Sequence, residues 1–151
     1  MPAVCSDATD VARHFPPRSF DLVTAFHLIE HLPDLQGLLR SVRTLLKPGG
    51  WFAGTVPLVD SLQVRRFGAR WAGASEAPRH VTIPSREGID RLFETAGFER
   101  PSIRPDSLLN CAGVAVLSAL PRIGSRHATD NRWWLKLSAP AIGLVTARKP
   151  L

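Results

Sequence analysis

The stretch SFDLVTAFHLIEHLPDLQGLLRSVRTLLKPGGWFAGTVP, Ser19 to Pro57, decides the fold. It opens on Phe20-Asp21-Leu22-Val23-Thr24-Ala25-Phe26, an apolar run rich in strand formers whose only charge is Asp21. Such a run suits a central strand covered on both faces. Leu35, Leu38, Leu39, Val42, Leu45 and Leu46 then recur at spacings of three and four, which predicts an amphipathic helix. Asp34 is placed to cap its start. Pro48-Gly49-Gly50 is expected to stop it, because proline cannot continue the ladder and glycine supplies a positive φ. Trp51 to Val56 reads as the next strand, ended by Pro57.

Outward from this block the alternation continues. Upstream, Ala3-Val4-Cys5-Ser6 reads as a short strand ending at Asp7-Ala8, and residues 9–19 as a turn of helix plus a loop. Downstream, residues 58–84 read as irregular. Ser85 is placed to cap a second amphipathic helix built on Ile89, Leu92, Phe93 and Ala96 and closed by Gly97. Phe98 to Ile103 is a predicted strand, Ser107 to Leu120 a predicted helix, and Ala141 to Ala147 a predicted last strand. Strand and helix taking turns predict an α/β layer with right-handed crossovers. Ligands of such sheets bind beyond the carboxyl ends of the strands. That rule singles out Asp7-Ala8, Phe26-His27, Pro57 and the loop carrying Arg79-His80.

Composition narrows the partners. The chain of 151 residues carries a formal net charge of +6, and 16 of its cationic residues are arginines scattered along it rather than gathered into a basic run. A solvated basic face is expected, not a nucleic-acid surface. Cys5 and Cys111 are the only cysteines and form no CxxC, which fits a reducing, cytoplasmic compartment. The first residues carry neither a basic nor an apolar region of a signal peptide. The longest apolar stretch, Leu108 to Leu120, is shorter than the roughly 20 residues a membrane span needs.

His27-Leu28-Ile29-Glu30-His31 matches H-x-x-E-H, in which two histidines one helical turn apart bind zinc and a glutamate acts as base. The protease motif needs a sustained helix, yet a buried strand precedes this one and Pro33 follows at once. No metal site is therefore expected, and a zinc peptidase stays a remote alternative.

Taken in order, these pieces resemble the class I S-adenosylmethionine-dependent methyltransferases. Ser19-Phe20-Asp21-Leu22-Val23 through Glu30-His31-Leu32-Pro33-Asp34 resembles their fourth strand and the turn after it. Leu45-Leu46-Lys47-Pro48-Gly49-Gly50 resembles the turn into their fifth strand. Asp7-Ala8 is similar to the end of their third strand, Pro78-Arg79-His80-Val81 with Gly97-Phe98-Glu99 to a stretch of a large bacterial subgroup, and Val145 to Pro150 to their last strand. The implied fold is α/β, a partial Rossmann-like methyltransferase sheet from the third strand onward with flanking helices. It forms one incomplete domain over residues 1–151, with residues 58–84 and 121–140 as substrate-side insertions or a lid.

The resemblance also implies roles. The cofactor is S-adenosyl-L-methionine, with Asp7 accepting from the adenine amino group, Ala8 lying nearby, and Phe26 and His27 on the cofactor-side rim. His80 is the candidate general base, and Arg79 and Trp71 are candidate substrate-binding residues. Trp133 and Trp134 are placed in lid or core packing. Some quinone-pathway relatives bind a divalent ion at the turn holding Glu30-His31. The expected reaction is methyl transfer to a small-molecule or glycan-pathway acceptor. The family's glycine-rich GxGxG loop and the acidic strand after it are absent from these residues. The chain therefore reads as a fragment or as a degenerate relative, and a catalytically inactive remnant serving as a structural or interaction module is the main alternative. With the first two strands missing, one edge of the Phe20–Phe26 strand is expected to be exposed and open to homodimer formation.

Overall fold

The computed structural model describes residues 3–71, 78–105 and 142–151. The predicted helix over Ser107 to Leu120, the segment 121–140 and Trp133-Trp134 lie outside the described residues. Among those described, four strands form one sheet in the order β1-β2-β4-β3, with β1 at Phe20–Phe26, β2 at Leu46–Pro57, β3 at Ser102–Pro105 and β4 at Ile142–Arg148. β1 and β2 run parallel, and β4 is antiparallel to both its neighbours. The sheet is therefore mixed, and the parallel crossover rule applies only to its first two strands.

β1 is not covered on both faces as expected, although its open edge in the described sheet is the one the missing first two strands implied. It is the edge strand of the described sheet, and its side chains split between faces with the period of two that a pleated strand imposes. Val23 and Ala25 turn toward the core, whereas Leu22 is 53% and Phe26 59% exposed. Apolar sequence alone does not separate a strand covered on both faces from one covered on a single face. Residues 3–6 form no strand either. They are exposed, and the chain enters regular structure at a 3₁₀ turn, Ala8–His14, capped by Asp7. That turn packs on helix α1 (Leu35–Leu45), where the Ser41 hydroxyl donates to the Thr9 carbonyl.

α1 begins as its sequence predicts. The Asp34 carboxylate accepts from the Gly37 N–H at 2.8 Å, a cap whose loss costs about 1 kcal/mol. Its apolar stripe, Leu38, Leu39, Val42 and Leu45, is buried. The helix ends at Leu45 rather than at Pro48, because Leu46 already turns into β2. Pro48-Gly49-Gly50 forms an irregularity at the start of that strand, where the β1–β2 register jumps from Phe20↔Leu46 to Leu22↔Trp51. Gly49 adopts φ 75°, which lets the chain bulge and still return to the ladder. Lys149 closes this corner by donating to the carbonyls of Arg43 (2.9 Å) and Leu46 (2.7 Å). Asp21 binds Lys47 Nζ at 2.8 Å.

Residues 58–84, expected to be irregular, contain a short helix α2 (Leu62–Phe67), followed by a 3₁₀ turn, Gly68–Arg70. The Ser61 hydroxyl accepts from Val64 N–H and starts α2. A two-turn helix with three arginines nearby has too little apolar periodicity to be read from sequence. Helix α3 (Arg86–Thr95) is capped by Ser85, which accepts from Gly88 N–H at 3.0 Å. Its Ile89 and Phe93 are fully buried, with Phe93 packed between the rings of Phe52 and Phe98 at 5.4 and 5.5 Å. Removing a phenylalanine of this kind from water contributes about 1.5–3 kcal/mol. Phe98 belongs to that cluster and not to a strand, so β3 starts only at Ser102.

Candidate functional site

The parallel pair β1–β2 ends on one rim, and the residues just past β1 are held there tightly. The His27 N–H donates to the Thr55 carbonyl (3.1 Å) and lies 3.3 Å from the Thr55 hydroxyl oxygen. This anchor lets His27 adopt φ 50°, a left-handed backbone that non-glycine residues seldom hold. The chain then makes one 3₁₀ turn, Ile29–His31, and not a helix. H-x-x-E-H therefore does not set His27 and His31 one helical turn apart, and the zinc-peptidase geometry is missing.

What the turn builds instead is a polar cluster under the rim. Glu30 is buried to 1% exposure. One carboxylate oxygen accepts from His27 Nδ1 at 3.2 Å, and among the described residues the other has no hydrogen-bond partner. The Glu30 carbonyl accepts from Val81 N–H (2.8 Å) and Thr82 N–H (3.2 Å), drawing the Arg79–Thr82 loop against the turn. His31 Nδ1 donates to the Arg79 carbonyl at 2.9 Å, since a carbonyl can only accept. The His31 ring lies 5.0 Å from that of His80. Ligand atoms of Glu30, His31 and His80 fall within 4.8 Å of one another, a spacing a cation accepts. In that trio, one Glu30 oxygen and one His31 nitrogen are already engaged.

The residues singled out from sequence fall into three places. Phe26, His27, Arg79 and His80 come together at the end of β1. Asp7 and Ala8 stand at the start of the 3₁₀ turn against α1. The Asp7 carboxylate accepts from Thr9 N–H (2.8 Å) and Thr9 Oγ1 (2.7 Å), which holds its pKa below the usual 3.8. Trp71 is buried to 2% exposure, and among the described residues its indole N–H has no hydrogen-bond partner. Two residues that matter here escaped the sequence reading. Glu30 was visible only within the H-x-x-E-H spacing and the family's turn after the strand, with no role in acid–base chemistry, and Thr55 carried no signal at all, because its role depends on strand pairing.

An open sheet carrying polar side chains beyond the carboxyl end of a parallel strand defines an α/β protein of Rossmann-like architecture. Within that class the chain belongs to the methyltransferase-domain family, whose model matches residues 3–101. It is 46% identical over 86 residues to a ubiquinone biosynthesis O-methyltransferase of Paraburkholderia phymatum, covering 56% of this chain and 36% of that one. A SAM-dependent methyltransferase from Archaeoglobus fulgidus superposes with a TM-score of 0.61 at 22% identity, over 97% of this chain and 66% of that one. The [4+2]-cyclase SpnF superposes equally well, at 0.61 and 19% identity, over 98% and 55%. The chain thus spans about a third of the Paraburkholderia relative and about two-thirds of the Archaeoglobus one.

Proposed function

We propose that this chain is the acceptor-side part of a methyltransferase that uses S-adenosyl-L-methionine to methylate a hydroxyl of a small molecule. The observation that carries the reading is the rim at Phe26-His27, set at the carboxyl end of the parallel strand within a family-matched segment. The residues fit the cofactor as far as they go. Phe26 offers an exposed ring for the flat apolar face of adenosine, and among the described residues nothing engages the second carboxylate oxygen of Asp7. The cofactor supplies a methyl group on a sulfonium. The loop that would hold its amino-acid end is not among these 151 residues. O-methylation is favoured over N-methylation by the identity to the Paraburkholderia enzyme. Arg79 and His80 line the acceptor side in this reading, Trp71 is a further substrate-binding residue, and residues 58–84 and 121–140 are substrate-side segments.

Calorimetry with S-adenosylhomocysteine tests the proposal. Micromolar binding is expected, and an absence of heat at millimolar ligand sinks it for this chain. The second reading, an interaction module in the cytoplasm, draws on a specific observation: β1 is an unpaired edge with Leu22 and Phe26 exposed on its outer face. Such an edge takes another strand, and a second copy of this chain is the occupant in this reading. Scattered arginines favour neither reading, and nucleic acid is not a partner in either.

A further inference from the structure

We propose that His27 is the general base of the reaction and that Glu30 is its positioning residue. This inference rests on the methyltransferase reading and moves the base from His80 to His27.

Four observations support it. An ionised carboxylate only accepts, so the Glu30–His27 contact at 3.2 Å places the ring proton on Nδ1 and leaves the lone pair on Nε2. No described residue engages that Nε2, and the His27 side chain is 46% exposed at the rim where an acceptor would arrive. His27 holds a left-handed φ of 50°, a strained backbone fixed by the Thr55 anchor; strain of this kind gathers at functional sites. Finally, Glu30 is buried and, among the described residues, its other oxygen has no hydrogen-bond partner, so no second described donor competes with His27 for its charge.

The chemistry calls for such a pair. A neutral hydroxyl that accepts a methyl cation must lose a proton. The hydroxyl oxygen bonds to the methyl carbon, the carbon–sulfur bond breaks with its electron pair remaining on sulfur, and the O–H proton passes to His27 Nε2. One positive charge leaves sulfur and one arrives on the imidazole, where the Glu30 carboxylate lies ready to meet it. His80 packs on His31, whose Nδ1 is tied to the Arg79 carbonyl. That arrangement holds the loop in place, whereas the Glu30–His27 contact presents a basic nitrogen.

The test uses the full chain with catechol as probe acceptor and three readouts. His27→Asn keeps a side chain that tolerates left-handed backbone, and Glu30→Gln keeps the shape of the buried group. Glu30→Gln is expected to bind S-adenosylhomocysteine as the wild type does, and His27→Asn, at the cofactor-side rim, to bind it more weakly but measurably, so that kcat is read at saturating cofactor. His27→Asn should lower kcat by about 10²–10⁴-fold and Glu30→Gln by about tenfold or more, with KM for catechol little changed. Nitrogen-15 spectra of the wild type should show His27 as the Nδ1–H tautomer, and Glu30→Gln should shift that signal and leave His80 in place. Cofactor binding with unchanged kcat in His27→Asn overturns the proposal while sparing the methyltransferase reading. So does cofactor binding with no turnover in the wild type, or an Nε2–H tautomer. Turnover abolished by a chelator and restored by a divalent ion would assign Glu30 to a metal and overturn it too. Absence of cofactor binding in all three proteins removes both readings together.

Discussion

Asp7 shows how a residue can look like a ligand site and also serve its own backbone. Its carboxylate caps the Ala8–His14 turn through Thr9 N–H and Thr9 Oγ1, and both bonds favour the charged form. A carboxyl whose pKa is depressed by folding adds stability above its unfolded value and loses it as the pH falls through the folded value. Replacing Thr9 with Val removes the hydroxyl bond and leaves the backbone one. The Asp7 carbon-13 titration is then expected to move up toward 3.8, and an unmoved curve would show that the hydroxyl is not the main cause. The same scale explains what could be read in advance. Asp34 and Ser85 were legible as caps because a cap needs only a polar side chain before an apolar stripe. His27 and Glu30 were legible as a spacing but not as a pair, because their contact depends on a left-handed residue that no periodicity reports.

Between elements, the closest fit is where β1 meets β2. Ala25 pairs with Gly54, and a Cβ on Gly54 would stand 2.5 Å from the Ala25 carbonyl oxygen and 2.9 Å from the Phe52 ring. Gly54→Ala is therefore expected to lose about 1–3 kcal/mol in urea unfolding through forced displacement of the strand pair. A loss below the error of the measurement would mean that β1 yields freely. The outer edge of β1 is a separate matter. If copies of the chain pair along it, Leu22→Lys should bring the sedimentation mass down to one chain without lowering the unfolding midpoint. A mass already at one chain in the wild type rules the pairing out. Helices α1 and α3 could be found from sequence because burial on one side imprints a period, and the Trp51–Val56 part of β2 because a proline-glycine stop precedes it and Pro57 ends it. The one-sided cover of β1 and the short helix α2 could not, since neither leaves a pattern of its own; the open edge of β1 was expected only through the family resemblance.

Over the whole molecule, architecture and activity part company. A methyltransferase and a [4+2]-cyclase superpose on this chain with the same TM-score, so the sheet supplies a rim and the side chains on it decide the reaction. On this chain that rim holds His27 and, in contact with it, the buried Glu30. The strand order carries a last consequence, in time rather than space. β4 is the last of the described strands, yet it sits between β2 and β3, with Arg148 paired to Trp51 and Thr146 to Ser102. During synthesis β2 must wait with one side open until Ile142–Arg148 has left the ribosome. Contacts so distant along the chain make folding slow, and an open strand invites neighbouring nascent chains to fill it. A chain stopped before Ile142 is expected to aggregate during synthesis, and recovery of that shortened chain as soluble folded monomer would refute this. The strand that completes the sheet also sets when the protein becomes safe from its own copies.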